Sequence, residues 1–418
     1  MMSLDAARGV VLAGCLPLEP RRVPLGAALG LVIAQDVVAA ELIPPFVNSA
    51  VDGFAVRAAD IAGATVDAPV QLTVIATVAA GAVSAVPVGA GEAIRLMTGA
   101  PIPIGADAMV MVEDTMMVED TGALDAGTRV SVCRSATAGD NFRAAGGDVR
   151  PGDFVVPSRT VLTPAHLGVL ASLGCLDVLA YPRPRVGVIS TGDELIEGPV
   201  LLGPGQIRDS NRQTLLSMAD DAGFESVDLG LIRDNERLIA EGFERGALSC
   251  DAVISSGGVS MGDFDFVKRV LDRDGEMNWM QIAIKPAKPL AFGHMGGKPV
   301  FGLPGNPVSS MVSFELFARP ALRSMAGHAV LDRPRLAARA AQDFLRTPDG
   351  KTHFVRVSAT YANGGYAVRS SGGQGSHQLT TMAAANALAV LPDGNGLRAG
   401  GAVEIIVFGT PESLLESH

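Results

Sequence analysis

The 418-residue sequence has few aromatic residues, few cysteines and fewer basic than acidic side chains. Aromatic residues make up 5% of the chain, with a single Trp, so we do not expect a surface that stacks nucleic-acid bases. Lys and Arg total 33 against 44 Asp and Glu, and the resulting formal charge of −11 argues against a general nucleic-acid binder. A local basic pocket for a small anion remains compatible with this composition.

Long apolar runs are also missing. A membrane-spanning helix needs about 20 apolar residues, and the longest candidate, 167–176, ends at Asp177. The four cysteines show no CxxC spacing and no metal-binding pattern, so we expect reduced thiols and a cytoplasmic protein without a membrane segment. They are Cys15, Cys133, Cys175 and Cys250.

Glycine, proline and apolar residues are plentiful. The chain has 49 Gly, 26 Pro and 48% hydrophobic residues, which predicts several buried cores joined by tight turns. At roughly 100–200 residues per domain, the length predicts two to four domains. Segments 70–78, 108–113 and 129–133 are rich in β-branched residues and predict a β-rich region in the first half.

The middle of the chain alternates between strand and helix patterns. Strands are predicted at 185–190, 226–232 and 251–255, and helices at 211–223, 235–248, 264–274 and 308–326. This alternation is typical of a parallel sheet covered by helices on both faces. After Gly327, four short strand patterns predict a small β-barrel or sandwich: 353–360, 366–370, 387–391 and 402–408.

Three polar loops follow predicted strands of the α/β region, where open α/β sheets bind their ligands. They are 190–195 (STGDEL), 255–265 (SSGGVSMGDFD) and 302–307 (GLPGNP). The second offers glycine N–H groups and hydroxyls for a phosphate, and the third places Asn306 as the N-cap of a helix. Each loop alone is also typical of an ordinary turn or helix cap.

Acidic and basic side chains are expected to meet at this sheet edge. Glu194, Asp263 and Asp265 follow the strands, and Lys285 and Lys288 lie in the sequence IKPAKP. Basic groups beside acids favour an anionic substrate with a bound divalent metal. Neither a Walker pattern nor a GxGxxG after a strand is present, which argues against ordinary nucleotide hydrolysis or dinucleotide chemistry.

Several longer motifs, in order along the whole chain, resemble the MoeA family of molybdopterin molybdotransferases, which includes gephyrin. They are 45–57 (PFVNSAVDGFAVR), 95–101 (RLMTGAP), 105–114 (GADAMVMVED), 141–148 (NFRAAGGD), STGDEL, 205–211 (GQIRDSN), SSGGVSMGDFD, 284–293 (IKPAKPLAFG) and GLPGNPVSS.

The resemblance implies a fold and an activity. The fold is a multi-domain α/β and β one, with a split elongated domain at 1–43 and 141–180, a β-rich insertion at 44–140, a MogA/MoaB-like three-layer α/β domain at 181–327 and a C-terminal β-barrel at 328–418. The activity is molybdenum cofactor biosynthesis: molybdate is inserted into the dithiolene of adenylylated molybdopterin, and AMP is released with the help of Mg²⁺. A homodimer is implied, with the cleft shared between subunits, and a MogA/MoaB-type adenylyltransferase is a candidate partner.

Matching motif positions assign roles by resemblance. Asp265, Ser260, Asp234, Glu194, Asp52 and Asp148 match catalytic positions, and Asp265, Asp263 and Glu194 the metal site. Asp52, Thr98, Arg143 and Asp148 match the partner-subunit side of the cleft. The substrate-binding positions are Thr98, Arg143, Ser256, Gly257, Gly258, Lys285, Pro286, Lys288, Pro304, Pro307, Arg356 and Ser376, of which Arg356 and Ser376 resemble oxyanion contacts.

The sequence departs from the family pattern at three positions. Val47 replaces Asp, Val51 replaces Met, and Gly147 replaces Glu. The loss of two acids leaves open a paralogue with reduced catalysis that acts as a binding scaffold. A molybdopterin adenylyltransferase is a further alternative, because the α/β region resembles the family that adenylylates molybdopterin. The sequence does not distinguish molybdate from tungstate, since the two oxyanions have nearly the same size and charge.

Overall fold

The computed structural model describes residues 1–117, 126–257, 266–362, 364–409 and 411–414. The chain forms two compact units. The first contains Met1–Gln35, Ser158–Thr163 and Asp177–His418, and the second contains Asp36–Pro157 and Pro164–Leu176. Among the described residues, no helix is both long and apolar enough for a membrane span.

The second unit is built on a six-stranded sheet. Its strands, in spatial order, are Ala108–Met111, Gly53–Val56, Glu92–Leu96, Val70–Val78, Arg129–Val132 and Thr115–Met117. The predicted strands at 70–78, 108–113 and 129–133 are therefore confirmed. The middle one ends early because the 3-10 helix Val112–Asp114 follows it. Alternate residues bury two opposite faces, with Phe54 on one and Ala55 on the other.

Smaller elements complete the second unit. The strand Asn48–Ser49 pairs with Phe142–Arg143, and Val37–Val38 pairs with Phe154–Val156. A 3-10 helix spans Ala58–Ile61, and an α-helix spans Pro164–Ser172. This helix is followed by Gly174, whose positive φ of 75° is typical of a helix end.

The first unit begins with the helix Leu4–Ala13. The Ser3 hydroxyl accepts a hydrogen bond from the Ala6 N–H and caps this helix, which buries Ala7 and Val11. The 3-10 helix Leu25–Ala27 comes next. A three-stranded sheet is formed in the order Arg21–Pro24, Asp177–Tyr181 and Val32–Ile33.

A mixed six-stranded sheet forms the centre of the first unit. Its spatial order is Glu225–Ile232, Arg185–Thr191, Ala252–Ser256, Lys298–Leu303, Pro289–Met295 and Glu276–Gln281. The first four strands pair in parallel. The strand Pro289–Met295 pairs antiparallel with both of its neighbours, Lys298–Leu303 and Glu276–Gln281. The helices Asn211–Asp221, Glu236–Ser249 and Phe266–Asp274 alternate with them, and Leu195–Ile196 pairs with Ile207–Arg208. The predicted doubly covered sheet is confirmed.

Both faces of this sheet are buried, which explains its nearly continuous apolar strands. Val186 and Val188 pack into one core with the N-terminal helix, whereas Ile189 packs into another with Ile239 and Phe243. Side chains alternate between the faces because the strand period is two residues. Because both faces are covered, the sheet is accessible to a ligand only at its strand ends and at the loops that follow them.

The predicted long helix at 308–326 contains a change of helical type. It runs as the α-helix Pro307–Ser313, the π-helix Phe314–Ala318 and the α-helix Arg319–Met325. Pro320 has no N–H to donate to the carbonyl of Leu316 four residues earlier. The guanidinium of Arg8 donates to that carbonyl at 2.6 Å instead.

The C-terminal part of the first unit is a closed β-barrel, as predicted. Its strands are Arg335–Ala340, Thr352–Ala362, Gly365–Ser370, Ala387–Leu391 and Ala402–Val407. Closure results because Thr352–Ala362 pairs with both Gly365–Ser370 and Ala387–Leu391. The strand Ile284–Lys285 adds to the barrel in parallel. The remaining elements are Phe344–Leu345 paired with Gly396–Leu397, the helix Leu379–Ala383 and the 3-10 helix Pro411–Leu414.

Candidate active site

The three polar loops begin at one edge of the α/β sheet. In the parallel register, Ser190 lies opposite Ser256, and Ser256 lies opposite Leu303. The prediction that the loops after these strands start side by side is therefore confirmed. This edge lies at the carboxyl ends of the strands, where α/β proteins bind ligands.

Hydrogen bonds join the loops to one another. The Gly257 N–H donates to the Leu303 carbonyl at 3.0 Å, so it is not free to bind a phosphate. Gly257 has a φ of 94°, a conformation that side chains other than glycine rarely adopt. Asn211 donates to the Ser256 hydroxyl at 2.8 Å and to the Gly305 carbonyl at 2.7 Å. Ser256 is 3% exposed, so its hydroxyl lies within the sheet edge.

Acidic residues occupy the neighbouring loops of the same edge. The Asp234 N–H donates to the Asp193 carboxylate at 3.3 Å, and Arg233 donates to the Asp193 carbonyl at 3.2 Å. Glu194 is exposed, and its carboxylate lies over Gly192, where a Cβ would be 2.5 Å away. The loops after the strands Arg185–Thr191 and Glu225–Ile232 are thus tied together.

Several predicted site residues lie outside the described residues: Gly258, Ser260, Asp263 and Asp265. Two of the three predicted metal ligands are in this group. Within the described part of the chain, no cluster of three or more His, Cys, Asp or Glu could hold a metal ion. Glu194 is the described member of the predicted ligand set, and an exposed carboxylate is the kind of ligand that Mg²⁺ takes.

A second feature is a basic cleft of about 1120 Å³. One wall is the loop 284–289, which brings in Lys285, Pro286 and Lys288 together with Ser309 from the helix that follows. The other wall comes from the barrel and includes Gln342, Arg346, Lys351, His353, Gln374 and Ser376. Neither Lys285 nor Lys288 has an ion-pair partner among the described residues, so both can bind an anion.

The lysine loop has an unusual backbone. Ala287 lies between the lysines with a φ of 74°, a left-handed conformation that costs a non-glycine residue roughly 1–2 kcal/mol. The Ile282 N–H donates to the Lys288 carbonyl at 2.8 Å and closes the loop. Strained backbone of this kind clusters at functional sites.

The acids Asp343 and Asp349 line the cleft, and each forms an ion pair with a basic side chain. Burial raises the pKa of Asp349, but hydrogen bonds and charge from His353 and Lys351 outweigh burial and hold this pKa at about 2. Arg346 also donates to the Asp349 carboxylate at 2.5 Å. The carboxylate therefore stays ionised and paired, and the cleft keeps its basic character.

Arg356 is fully buried beside the cleft. Its Nη2 donates to the carbonyls of Gly373 at 2.6 Å and Gly375 at 3.2 Å. Its Nε and Nη1 have no hydrogen-bond partner among the described residues, and burial lowers the pKa of the guanidinium. Buried charged donors without acceptors are costly. Gly375, whose carbonyl accepts from Arg356, lines the cleft together with Ser376.

The start of the helix Pro307–Ser313 is used by the protein itself. Asn306 occupies the predicted N-cap position, but its side chain makes no capping hydrogen bond. The Val308 N–H donates to the Ser376 carbonyl at 3.0 Å. Pro304 is buried and Pro307 is half-buried, and neither lines the basic cleft. The helix start therefore supports the cleft by fixing Ser376.

In the second unit, two predicted site residues contact each other directly. The carboxylate of Asp52 accepts hydrogen bonds from the Thr98 N–H at 2.6 Å and from its hydroxyl at 2.8 Å. These two bonds lower the pKa of Asp52. Arg143 donates to the Ala50 carbonyl at 3.4 Å. The backbone N–H of Asp148 donates to the Ile43 carbonyl, and the Asp148 carboxylate takes no part in this bond.

The departures from the family motif lie in the same unit. Val47 is 42% exposed, so an apolar side chain stands at the surface where the family has an acid. At Gly147 a Cβ would lie 3.1 Å from the Ala144 carbonyl oxygen, which is tighter than most real Cβ contacts. This turn therefore accommodates glycine better than the glutamate of the family motif.

The fold and these two sites define a multi-domain protein with an α/β domain that presents polar loops at the carboxyl ends of its strands, and with a basic cleft. Three family models match the chain. They are the MoeA N-terminal region (domain I and II) at residues 2–174, the probable molybdopterin binding domain at 187–324 and the MoeA C-terminal region (domain IV) at 337–408. The chain belongs to the MoeA family, which confirms the resemblance seen in its motifs.

Curated relatives match over nearly the full length. "Molybdopterin molybdenumtransferase 2" of Mycobacterium tuberculosis is 39% identical over 94% of this chain and 96% of its own. The molybdopterin molybdenumtransferase of Haemophilus influenzae is 37% identical over 98% and 99%. Among solved structures, the molybdopterin biosynthesis moeA protein of Pyrococcus horikoshii OT3 is 31% identical, with a TM-score of 0.77 over 98% of this chain and 100% of its own.

The structure adds site residues that the sequence did not single out. Ser309 and Gln374 line the basic cleft, and Asn211 bonds two strand-end loops. Asn211 lies within a recognised motif, but a polar residue at a helix start is ordinarily interpreted as a cap. Gln374 precedes the predicted Ser376 by two positions. Its Oε1 accepts from the Arg356 N–H at 2.9 Å, because the strands Thr352–Ala362 and Gly365–Ser370 form a hairpin.

Proposed function

We propose that this protein is a molybdopterin molybdenumtransferase of molybdenum cofactor biosynthesis. In the proposed reaction, molybdate enters the dithiolene of adenylylated molybdopterin, and cleavage of the phosphoanhydride releases AMP. The observation that supports this most is the buried guanidinium of Arg356, with two donors that lack acceptors among the described residues. A dianion beside it would satisfy both donors.

Molybdate is a tetrahedral dianion, so cationic groups and hydroxyls should bind it. In our proposal Lys285, Lys288, Arg356 and Ser376 bind the oxyanion, and Pro286 shapes the loop between the lysines. This arrangement places positive charge on both walls of the cleft. The positioned charge would lower the energy of the oxyanion as it transfers.

The strand-end loops are proposed to bind the phosphates of the adenylylated substrate. Ser256, Gly258 and Ser260 would contact phosphate, while Gly257, whose N–H bonds to the Leu303 carbonyl, would shape the loop. Pro304 and Pro307 would shape the adjoining loop. Glu194, Asp263 and Asp265 would hold Mg²⁺, which neutralises charge that develops on the phosphoanhydride. Asp234 is assigned a catalytic role in the same loops.

Four further features stay predictions. They are the four-domain boundaries given above, a homodimer in which Asp52, Thr98, Arg143 and Asp148 complete the partner's cleft, a MogA/MoaB-type adenylyltransferase as the partner that delivers substrate, and a cytoplasmic location. The contact between Asp52 and Thr98 supports their joint role, because it presents an ionised carboxylate at the surface of the unit.

The test is rescue of a bacterial strain that lacks its molybdotransferase. Expression of this chain should restore activity of the strain's molybdenum enzymes, and Asp265→Asn should abolish the rescue. A scaffold protein would not rescue. An adenylyltransferase would instead consume ATP with pterin that is not adenylylated, so ATP consumption without rescue would contradict the proposal.

A further inference from the structure

Asn211 is the first residue of the helix Asn211–Asp221, and its side chain reaches two strand-end loops. Its Nδ2 donates to the Ser256 Oγ at 2.8 Å and to the Gly305 carbonyl at 2.7 Å. A side-chain amide nitrogen has two hydrogens, so these bonds use its full donor capacity. One side chain therefore joins the loops that follow the strands Ala252–Ser256 and Lys298–Leu303.

The bond from Asn211 determines how Ser256 can interact with a ligand. Because the Ser256 oxygen accepts a hydrogen bond from the Asn211 amide, its own hydroxyl proton must point elsewhere. No described residue accepts that proton, and Ser256 is 3% exposed. The Gly257 N–H next to it is already bonded to the Leu303 carbonyl. The Ser256 hydroxyl is thus the donor that this part of the loop can offer to an anion.

Asn211 is itself held in place by its neighbours. The buried carboxylate of Asp209 accepts from the Ser190 hydroxyl at 3.1 Å and from the Arg212 N–H at 3.2 Å. Arg212 also donates through Nε to the same carboxylate at 3.2 Å. These bonds fix the start of the helix against the strand Arg185–Thr191. The backbone from which the Asn211 side chain extends is therefore held in place.

The same amide sets the spacing between two loops. A Cβ built on Gly305 would lie 3.8 Å from the Gly257 Cα, so the two loops run close together there. If the Gly305 carbonyl lost its donor, the loop 303–306 would be free to shift by rotating that peptide. An aspartate at 211 would lose both donors. Its carboxylate would repel the Gly305 carbonyl, and it could only accept the Ser256 hydroxyl proton, which would turn that proton away from a ligand.

We propose that Asn211 is a positioning residue that aims the Ser256 hydroxyl at a phosphate group of the ligand and fixes the spacing of the two loops. The proposal deepens the proposed function, on which its ligand class, an adenylylated phosphate, rests. Asn211 does not touch the reacting atoms and acts through Ser256 and Gly305.

The experiment is a double-mutant cycle on the full chain, read out by calorimetric binding of AMP and by molybdate-dependent AMP release. Asn211→Leu and Ser256→Ala should each weaken AMP binding, by about 10- to 100-fold for loss of a residue that orients a ligand-binding group. The double variant should bind no more weakly than the weaker single variant, because both changes remove the same interaction. Gln213→Glu, on the exposed side of the same helix, should bind AMP as the wild type does.

The outcomes separate the two claims. Wild-type binding in Asn211→Leu, or losses that multiply in the double variant, would overturn the positioning role. Failure of the wild type to bind AMP would overturn Ser256 as a phosphate contact and Asn211 with it. If the wild type binds AMP and shows the predicted cycle but releases no AMP from adenylylated molybdopterin, the proposed function fails and the positioning role stands. Should Asn211→Leu unfold, Asn211→Asp removes the same donors with nearly the same shape and takes its place.

Discussion

Arg356 combines complete burial with unused hydrogen-bond donors. Two backbone carbonyls satisfy Nη2, while Nε and Nη1 lack acceptors among the described residues. A buried charge without its full set of partners is costly to stability. In our proposal, the bound oxyanion supplies the missing acceptors.

The first prediction concerns Arg356→Met. The concentration of molybdate needed for half-maximal activity should rise at least about tenfold, as expected for loss of a charged hydrogen bond worth roughly 1.5–3 kcal/mol. The midpoint of thermal unfolding should change little, because removal of two buried donors without acceptors offsets the loss of the bonds to the Gly373 and Gly375 carbonyls. Arg369→Met, an exposed arginine of the adjacent barrel strand, should change neither value. A large loss of stability with unchanged molybdate dependence would contradict the assignment.

The second prediction concerns the ionisation of Asp52. Its pKa lies below the ordinary value of 3.8 because of the Thr98 N–H and hydroxyl. Since the folded value is lower than the unfolded one, this contribution to stability is present above pH 3.8 and is lost as the pH falls through the folded pKa. Thr98→Val removes the hydroxyl bond and keeps the N–H bond, so the pKa of Asp52 should rise part of the way.

Carbon-13 NMR titration of the carboxyl groups measures this change. Asp140, whose pKa is lowered by Thr137 in the same unit, should be unaffected and serves as the internal control. An unchanged pKa of Asp52 in Thr98→Val would show that the hydroxyl contributes nothing.

At the scale of elements, the long helix at 307–325 illustrates how a sequence break is accommodated. Pro320 cannot donate to the Leu316 carbonyl, and Arg8 of the N-terminal helix does so at 2.6 Å while pairing with Asp332. Leu316 lies in the π-helix Phe314–Ala318, which directly precedes the α-helix that contains Pro320. The N-terminal helix is thereby coupled to the helix that starts beside the basic cleft.

The third prediction tests this coupling. Arg8→Ala should lower the free energy of unfolding by about 1–2 kcal/mol, mainly because it leaves the Leu316 carbonyl without its donor. The loss should shrink in a Pro320→Ala background, where the new N–H can serve the same carbonyl. Asp332→Ala should cost little, because exposed ion pairs contribute little. Equal losses in both backgrounds, measured by chemical denaturation, would refute the explanation.

Much of the architecture could be predicted because periodic patterns are local. The strands at 70–78 and 387–391 match the predicted bounds, and the loops at 190–195, 255–265 and 302–307 begin at one sheet edge because parallel strands share a direction. Tertiary contacts were not predictable in this way. The Gly257 N–H is used by Leu303, and the Asn306 side chain makes no cap, because the loops bond to each other across the fold.

At the scale of the whole molecule, a net charge of −11 coexists with a cleft that contains unpaired lysines. Lys285 and Lys288 come from the α/β part, and Ser376 comes from the loop beside the barrel. The strand Ile284–Lys285 pairs with the barrel strand and joins the two walls. The proposed oxyanion site thus depends on the packing of two folded parts within one unit.

The most direct test of the central claim measures AMP release from adenylylated molybdopterin by the purified chain with Mg²⁺, as molybdate concentration is varied. We predict that AMP appears only with molybdate, that its amount equals the molybdenum bound to the pterin, and that Lys288→Ala raises the molybdate requirement. AMP release at the same rate without molybdate, or none under any condition, would contradict the account.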